Sequence, residues 1–401
     1  MKKLLFIMNT MGHAGAETAL IELLNRISPA EYEVSLFVVT AQGEMISKLP
    51  DSVRLINSTY KDVSVLDAEG RKNLKKTVIK SFFRRANFVR LFPYLISNLF
   101  RMIKKGKILP DKLLWRVVSD GAERFDTEYD LAVSYLEGAS AYYLADHVKA
   151  VKKAAFIHVD YDMAGYTRQL DRNCYTSFDR IFTVSEAVKV PFIRNYRECE
   201  AKTELFKNYI DVAGILSKAE QNIDFDAGFN GKRIVTVGRL TAPKALDISI
   251  DACEKLVKSG ENIRWYVLGD GDMRKELENH IAEKHMEKYF ILFGAVDNPF
   301  PFMRQADIYA HCSRYEGSSI AVREAQVLGK PMLVTNCAGN LELVEDGRNG
   351  IVCELNAESI AERLQLLLHD MELCRRLGKA AEASVELDGE EIQKLFSLLT
   401  A

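Results

Sequence analysis

The sequence predicts an α/β protein with two doubly wound domains, each a parallel sheet covered by helices on both faces. Short, nearly continuous apolar segments alternate with amphipathic helical segments, as is typical of parallel strands buried on both sides. The alternation begins afresh after a polar stretch near the middle of the chain. The 401 residues also exceed what one ordinary hydrophobic core needs. We therefore expect two domains of similar construction.

The strands of the two domains form two series along the chain. The predicted strands of the first series are KLLFIMN, EVSLFVVT, RLINS, LAVSYLE, KAAFIHV and RIFTVS. Those of the second series are KRIVTVGRL, IRWYVLGDG, YFILFGAV, IYAHCS, PMLVTNC and GIVCEL. The stretch between them is rich in Gly, Asn and Asp, which predicts a linker at 216–231. The predicted domains are 1–215 and 232–380, and a C-terminal helix is expected in 381–401.

Composition excludes several classes of protein. The chain is 48% hydrophobic with a formal net charge of −2, so nothing global indicates a nucleic-acid partner. The apolar run Leu4–Met8 is shorter than the roughly 7 to 15 residues of a signal peptide, and no stretch reaches the ~18 residues of a membrane span. Seven cysteines without a CxxC pair indicate reduced thiols rather than a metal site. We expect a cytoplasmic protein.

Loops rich in glycine or cations follow several predicted strands, where open α/β sheets bind their ligands. The loop NTMGHAGAET contains Gly15, although its spacing differs from the dinucleotide pattern GxGxxG. The loop VGRLTAPKALD carries Arg239 and Lys244, and two such cations can clamp a diphosphate. The loop YVLGDGDMRKEL turns tightly at Gly269 and Gly271. Each loop taken alone is equally typical of a plain turn or of solvated cations.

A fourth loop carries two glutamates with a fixed separation. The segment SRYEGSSIAVREA, residues 313–325, places Glu316 in a loop and Glu324 eight positions later, in the helix predicted to follow. In isolation such a pair is typical of surface carboxylates. Here the pair occurs together with the three other loops, and this combination indicates a functional role for the two glutamates.

Together these segments resemble the retaining glycosyltransferases of family 4, whose architecture, GT-B, has two Rossmann-like domains facing across a cleft. Glu316 and Glu324 match the family pattern of two glutamates with seven residues between them. The chain departs from the family at Ala245, where glycine is frequent, and in HAGAE, where two adjacent glycines are usual. The other similar segments, in the family's order, are AGAE (14–17), FIHVDY (156–161), FDRIFTVSEAV (178–188), VGRLTAPK, LGDGDMRKELE and VEDGRNGIV (344–352).

The resemblance implies transfer of a hexose from a nucleotide-diphosphate sugar to a hydroxyl acceptor, with retention at the anomeric carbon and without a cofactor. It also implies that 381–401 crosses back to the first domain. Glu324 would accept hydrogen bonds from the nucleotide ribose. The implied catalytic residues are His158, Arg239, Lys244 and Glu316, and the other donor-binding residues are Gly15, Gly269, Gly271, Gly317, Ser318, Ser319 and Ile320.

A metal-dependent variant of this function is rejected, and two other functions remain as alternatives. Asp160 and Asp162 form DYD, which is similar to the metal-binding DxD of the other glycosyltransferase architecture. We expect no metal there, because the two cations of the VGRLTAPK loop already supply the positive charge that Mg²⁺ or Mn²⁺ would bring. A nucleotide-sugar epimerase of similar architecture is a second possibility. A non-catalytic sugar-nucleotide-binding subunit is a third, although retention of all four charged site residues argues against it.

Residues 71–116 are strongly basic. They contain fourteen Lys or Arg and a single acid, Asp111, while the chain as a whole carries a net charge of −2. Cations interleaved with aromatic residues are typical of helices that lie in the interface of anionic membranes. The alternative is a solvated helical insertion on the first domain. We expect contact with an anionic membrane surface, a lipid-linked acceptor and a peripheral position on the inner face. The interleaved aromatic residues are Phe82, Phe83, Phe88, Phe92, Tyr94, Phe100 and Trp115.

Overall fold

The computed structural model describes residues 1–84, 87–104, 106, 108–385 and 389–400. Arg85, Lys105 and Lys107 of the basic segment lie outside the described residues, as do 386–388 and 401 of the predicted C-terminal helix. The chain divides into two compact units. The first comprises Met1–Tyr209 with Glu390–Ala401, and the second comprises Ile210–Gly389.

The described strands form two sheets, one in each unit. The strands are β1 (Lys2–Met8), β2 (Tyr32–Val38), β3 (Val53–Leu55), β4 (Glu128–Ser134), β5 (Lys149–Ile157), β6 (Arg180–Thr183), β7 (Thr203–Leu205), β8 (Lys232–Val237), β9 (Ile263–Leu268), β10 (Phe290–Gly294), β11 (Ile308–His311), β12 (Met332–Thr335) and β13 (Ile351–Cys353).

Helices connect and cover these strands. They are α1 (Gly15–Leu24), α2 (Ala68–Phe83), α3 (Asn87–Lys104), α4 (Pro110–Gly121), α5 (Ala139–His147), α6 (Arg168–Asp171), α7 (Glu186–Asn195), α8 (Val212–Ala219), α9 (Leu246–Lys258), α10 (Arg274–Glu283), α11 (Phe300–Gln305), α12 (Ile320–Val327), α13 (Ala338–Leu341), α14 (Ala357–His369), α15 (Met371–Ala383) and α16 (Glu391–Phe396). None of the helices in the described part of the chain combines the length and apolar character that a membrane span requires.

Both sheets are parallel where their described strands pair. The first has the order β3-β2-β1-β4-β5-β6-β7 and the second the order β10-β9-β8-β11-β12-β13. The direction of winding reverses between β1 and β4 in the first sheet and between β8 and β11 in the second. Loops that leave such a switch point diverge and open a crevice at the carboxyl ends of the strands. The prediction of two doubly wound α/β units is confirmed.

Each of the twelve predicted strands is present, and the described sheet also contains β7, which the sequence did not indicate. This strand has only three residues and includes an acid, Glu204, so it lacks the apolar run that marks the other strands. Glu204 forms an ion pair with Arg180 of the neighbouring strand β6, which accommodates its charge at the sheet edge. A strand this short that includes a charged residue lacks the apolar run by which strands are predicted from sequence.

The polar stretch 216–231, predicted as a linker, lies inside the second unit. The unit begins at Ile210, and α8 follows at once, capped by Asp211, whose carboxylate accepts a 2.9 Å hydrogen bond from Gly214 N. Ile215 is buried against Val327 of the same unit. Further along, the Asp226 carboxylate holds Arg264 at 2.6 Å. The polar composition of this stretch therefore reflects ion pairing inside a packed unit.

Residues of the predicted C-terminal helix 381–401 are divided between the units. Helix α15 ends at Ala383 in the second unit, and α16 begins at Glu391 in the first. Leu395 and Leu398 are buried, and the ring of Phe396 stacks on that of Tyr32 with 4.5 Å between centroids. The described part of this C-terminal segment is thus two separate helices.

The basic segment 71–116 folds into α2, α3 and α4 of the first unit, and its cations differ in burial. Arg116 was predicted as part of the membrane-facing set, but it is 0% exposed and belongs to the core. Its guanidinium pairs with Asp146, donates to the Asp171 carbonyl at 3.1 Å and covers the Tyr142 ring at 4.1 Å. Tyr94 is also buried, at 7% exposure. These two residues face the protein interior, which corrects the prediction for them.

Replacing Arg116 with Met is expected to lower the free energy of unfolding by about 3 kcal/mol, because it leaves partners of a buried cation without compensation. The measurement is urea unfolding followed by circular dichroism. Arg90→Met is the matched control, since Arg90 is an exposed cation of the same segment and should change stability by less than about 0.5 kcal/mol. Equal effects of the two substitutions would contradict the core position of Arg116.

Candidate active site

The second unit brings a cation and a carboxylate together at its switch point. Lys244 ends a short 3-10 turn after β8, and Glu316 lies in the loop after β11, the neighbouring strand in the sheet. Lys244 Nζ donates to Glu316 Oε1, and the two side chains are 20% and 14% exposed. Two residues that are 72 positions apart in the sequence thus form one ion pair at the mouth of the sheet.

His311 is the residue of this cluster that sequence reasoning missed. Its Nε2 lies 3.0 Å from Glu316 Oε1, 3.4 Å from Lys244 Nζ and 3.1 Å from Ser319 Oγ. Its Nδ1 lies 3.2 Å from the Tyr309 hydroxyl, which stands two residues earlier on the same face of β11. The imidazole therefore connects the strand to both charged residues. The available signal was its position at the end of β11, directly before the glutamate loop.

The charges of the cluster are fixed by their surroundings. Burial alone would raise the pKa of the Glu316 carboxyl, but the charge of Lys244 and the hydrogen bond from His311 hold this pKa well below its usual range. Burial, together with Lys244, lowers the pKa of His311. At neutral pH the cluster consequently contains a carboxylate and a neutral imidazole. A neutral ring with Nε2–H facing Glu316 can accept from Tyr309 at Nδ1.

Arg239 differs from Lys244 in having a free side chain. It is exposed, and within the described ranges its guanidinium has no hydrogen bond or ion pair. The loop that joins it to Lys244 ends at Ala245, whose φ of 47° lies in the left-handed region. Glycine adopts this conformation without strain, whereas alanine does so at a cost of about 1 kcal/mol. Glycine would therefore adopt the backbone conformation of this position more readily than the alanine that occupies it.

Gly269 and Gly271 allow two loops of the site to pack closely. A Cβ on Gly269 would lie 2.0 Å from the Gly238 carbonyl oxygen, and one on Gly271 would lie 2.2 Å from that of Leu240. Gly269 also has a φ of 152°. Neither position has room for a side chain. These glycines set the path of the Arg239 loop, and direct contact with a ligand remains a prediction.

The loop Gly317–Ser319 leads into α12, which carries the second glutamate. Ser319 caps the helix, since its Oγ accepts from Val322 N at 3.3 Å. The N–H groups of the first turn, beginning with Ile320, have no intrahelical acceptors and carry the positive end of the helix dipole. This end of α12 can receive a negatively charged group.

Glu324 lies one turn further along α12 and is half-buried. Burial raises the pKa of its carboxyl to about 8, although Lys218 opposes the shift. Among the described residues its carboxylate has no hydrogen-bond partner. A half-buried carboxyl without a partner has unused hydrogen-bonding capacity, so a ligand that donates hydrogen bonds is its natural complement.

The remaining predicted residues, His158 and Gly15, belong to the first unit. Gly15 is the first residue of α1, which follows the central strand β1. His158 follows β5, and its backbone N–H donates to Glu137 Oε2 at 3.1 Å. Neither ring nitrogen of His158 has a partner in the described part of the chain, and burial lowers the pKa of this imidazole to about 3. The ring is therefore neutral, with both nitrogens unused.

The carboxylates of DYD are already engaged within the first unit. Asp160 Oδ1 accepts the N–H groups of Asp162 and Met163, each at 2.9 Å. Asp162 Oδ1 accepts from Asn195 at 2.7 Å, and Arg194 lies 3.4 Å from its second oxygen. This pair closes a turn and fixes α7, so its oxygens are poorly placed to share one ion.

A different group in the described residues has the spacing of metal ligands. Ligand atoms of Asp120, Asp146 and His147 all lie within 4.8 Å of one another. Arg116, however, pairs with Asp146 and lies 3.9 Å from Asp120 Oδ1. The Arg116 guanidinium thus already supplies the positive charge that a metal ion would bring to this cluster.

Comparison with known proteins agrees with this geometry. Residues 219–384 match the family described as glycosyl transferases group 1. The chain is 26% identical over 172 residues to alpha-D-kanosaminyltransferase of Streptomyces kanamyceticus, which covers 41% of this chain and 45% of that protein. It is 28% identical over 201 residues to the N-acetylgalactosamine-N,N'-diacetylbacillosaminyl-diphospho-undecaprenol 4-alpha-N-acetylgalactosaminyltransferase of Campylobacter jejuni, which covers 50% and 53%. The chain thus spans about half the length of the curated relatives it matches.

The fold has solved counterparts over its whole length. The crystal structure of Anabaena Alr3699/HepE in complex with UDP and glucose is similar with a TM-score of 0.69 and 18% identity, covering 100% of both chains. The chain therefore has the GT-B fold, with two Rossmann-like α/β units. Residues 219–384, within its second unit, are similar to glycosyl transferases group 1. The resemblance seen in the sequence is confirmed at this level.

Proposed function

We propose that the chain is a retaining glycosyltransferase of family 4 that transfers a hexose from a nucleotide-diphosphate sugar to a hydroxyl acceptor. The observation that carries this proposal is the pairing of Lys244 with Glu316 at the switch point of the second unit. Arg239, in the same loop as Lys244, has a guanidinium without a partner in the described ranges. Glu324, on the helix that follows the Glu316 loop, has a carboxyl that can still accept hydrogen bonds. A nucleotide sugar has a partner for each of these groups: its diphosphate for the cations, its sugar for Glu316 and its ribose for Glu324.

In the proposed mechanism the cations act on the leaving group. Arg239 and Lys244 bind the diphosphate and stabilise the negative charge that grows on it as the bond to the anomeric carbon breaks. The first turn of α12 supports the same charge. No metal is required for this step, because two cations and a helix N-terminus supply the positive charge.

Glu316 of the second unit is proposed to bind the transferring sugar, and His158 of the first unit is proposed as a further residue of the reaction. Glu316 is ionised and accepts hydrogen bonds from sugar hydroxyls, while His311 keeps its carboxylate oriented. Neutral His158 can donate from one ring nitrogen and accept at the other. Glu324 accepts from the ribose hydroxyls. Gly15, Gly317 and the backbone of Ser318 are expected to approach the donor without a charged contact.

The names of similar proteins suggest the substrates. The Anabaena structure contains UDP and glucose, which supports a uridine nucleotide with a hexose as donor. The Campylobacter relative is named for a diphospho-undecaprenol substrate, which supports a lipid-linked glycan as acceptor. We therefore place the reaction in polysaccharide synthesis, with the enzyme peripheral on the cytoplasmic face of the membrane.

A donor screen in the presence of EDTA tests this function. UDP-hexoses are expected to raise the melting temperature and to be consumed when a hydroxyl acceptor is added; ligand at ~100 times its Kd adds roughly 2.7 kcal/mol to stability. NMR of the product should show the anomeric configuration of the donor. GDP-hexoses are the matched comparison.

The other candidates give different outcomes in this screen. An epimerase would convert the donor into its isomer without any acceptor. A non-catalytic subunit would be stabilised by the donor and leave it intact. Activity that is abolished by EDTA and restored by Mn²⁺ would contradict the proposed role of the two cations.

A further inference from the structure

Helix α3 of the first unit exposes a continuous apolar stripe along its length. Its exposed fractions run from 40% to 69%, values that a buried helix would not show. The positions recur at intervals of three and four, so they share one face of a helix about 27 Å long. The members of the stripe are Phe88, Val89, Phe92, Ile96, Leu99, Phe100 and Ile103.

The opposite face of α3 is already packed. Leu91, Tyr94 and Met102 are buried together with Leu113 of α4 and Leu170 of α6. The Tyr94 hydroxyl donates to the Leu170 carbonyl at 3.0 Å. The helix is thus fixed to its own unit by one face. The exposed stripe is a second apolar face, which the core of the unit does not use.

A shallow apolar depression continues the stripe at its N-terminal end. It has a volume of about 450 Å³ and is lined by Phe82, Phe88, Val89, Phe92 and Pro93. Phe83, at the end of α2, is 64% exposed beside it. Its lining is almost wholly apolar, as suits an acyl chain or a bilayer interface.

The charges that border the stripe are all positive. Arg90, Arg101 and Lys104 are exposed, and within the described ranges none of them forms a salt bridge. Helix α3 contains no acidic residue. The exposed cations of α2 add to the same sign; they are Arg71, Lys72, Lys75, Lys76 and Lys80.

From these observations we propose that α3 is an interfacial anchor that lies in the surface of an anionic lipid bilayer, with the stripe inserted and its flanking cations on the headgroups. A second copy of this face would bring like charges together, which disfavours a dimer through it. An anionic bilayer complements both features, because its acyl region accepts the apolar stripe and its headgroups attract the flanking cations. The physiological role rests on the proposed function, since the anchor would hold the enzyme where a lipid-linked acceptor lies.

The proposal refines the basic segment to one helix. Helix α4 is excluded because Arg116 and Val117 are buried. Arg84 is also bound to the protein, since its guanidinium donates to the Gly121 carbonyl at 3.1 Å. The insertion depth should therefore depend on α3 alone, with α2 contributing charge.

Vesicle binding of the full chain tests the anchor. The chain is expected to sediment with vesicles of phosphatidylcholine mixed with phosphatidylglycerol, to remain in solution with phosphatidylcholine alone, and to dissociate as salt rises. Phe92→Ser/Phe100→Ser and Arg90→Gln/Arg101→Gln/Lys104→Gln should each weaken binding at least tenfold. Val190→Ser, on the exposed face of α7, and Lys275→Gln, on α10, are controls that should bind as the wild type does.

Two further measurements separate the outcomes. Circular dichroism establishes that each variant is folded, and protection by a nucleotide sugar should be unchanged in all of them because none of the altered residues is among those proposed to bind the donor. Failure of the wild type to bind anionic vesicles overturns the anchor, whereas failure of donor protection contradicts the proposed function. Self-association of the wild type that Phe92→Ser/Phe100→Ser abolishes would also overturn it, by assigning the stripe to a second copy.

Discussion

Lys244→Met is expected to lower kcat for sugar transfer roughly 10²- to 10³-fold, the loss that follows removal of a single group aimed at developing charge. Methionine preserves much of the aliphatic length but cannot neutralise a departing diphosphate. The effect should appear in kcat, because the charge on the leaving group grows as the bond breaks. Steady-state kinetics with a saturating donor measure it.

Two controls isolate the chemical role of Lys244. Its removal leaves Glu316 without its ion-pair partner, so the melting temperature of the variant must be recorded with its kinetics. Lys275→Met alters an exposed lysine of the same unit and should leave kcat unchanged. Full activity of a folded Lys244→Met variant would exclude the ion pair from the mechanism.

Glu324→Gln is expected to weaken binding of the nucleotide sugar by roughly 10- to 100-fold, the range for a hydrogen bond to a charged group. The free carboxyl has a pKa of about 8 and is mostly protonated at pH 7. Ribose hydroxyls that donate to it favour the ionised form and lower this pKa, so binding should release a proton. Titration calorimetry in buffers of different ionisation enthalpy measures that proton. An intact nucleotide sugar is preferable to UDP, whose terminal phosphate also titrates near neutrality.

The same carboxyl gives a pH signature in stability. Its pKa is raised on folding, so the folded state binds more protons and becomes less stable as pH rises from about 4.5 to 8. Glu324→Gln removes this dependence and should gain stability relative to the wild type over that interval. Proton release or a pH slope that persists unchanged in Glu324→Gln would assign the effect to another group.

The sequence was sufficient for most of the fold because buried parallel strands require continuous apolar residues. It failed at β7, where an ion pair to Arg180 replaces that requirement. It also placed the linker inside the second unit, since Glu220 and Asp226 of 216–231 pair with arginines of that packed unit. Polar composition alone cannot distinguish these uses.

The part of the site that lies within one short segment was predictable from the sequence, and the part that depends on contacts between distant segments was not. Glu316 and Glu324 keep a fixed separation because the loop and helix between them are local. His311 has no such local pattern. Its role depends on Lys244 approaching from a different strand, 67 positions away in the chain, which only the order of strands in the sheet brings about.

The return of α16 to the first unit has a consequence for biosynthesis. Lys394 Nζ donates to the Leu205 carbonyl of β7 at 2.8 Å, and Ile392 N donates to the Tyr209 hydroxyl at 2.6 Å. These residues leave the ribosome only after the whole second unit has been made. At roughly 5 to 20 residues per second, the first unit must wait for the 180 residues of 210–389 before its edge is covered. A nascent chain stalled within the second unit would therefore present an incomplete, protease-sensitive first unit, even though its sheet is already synthesised.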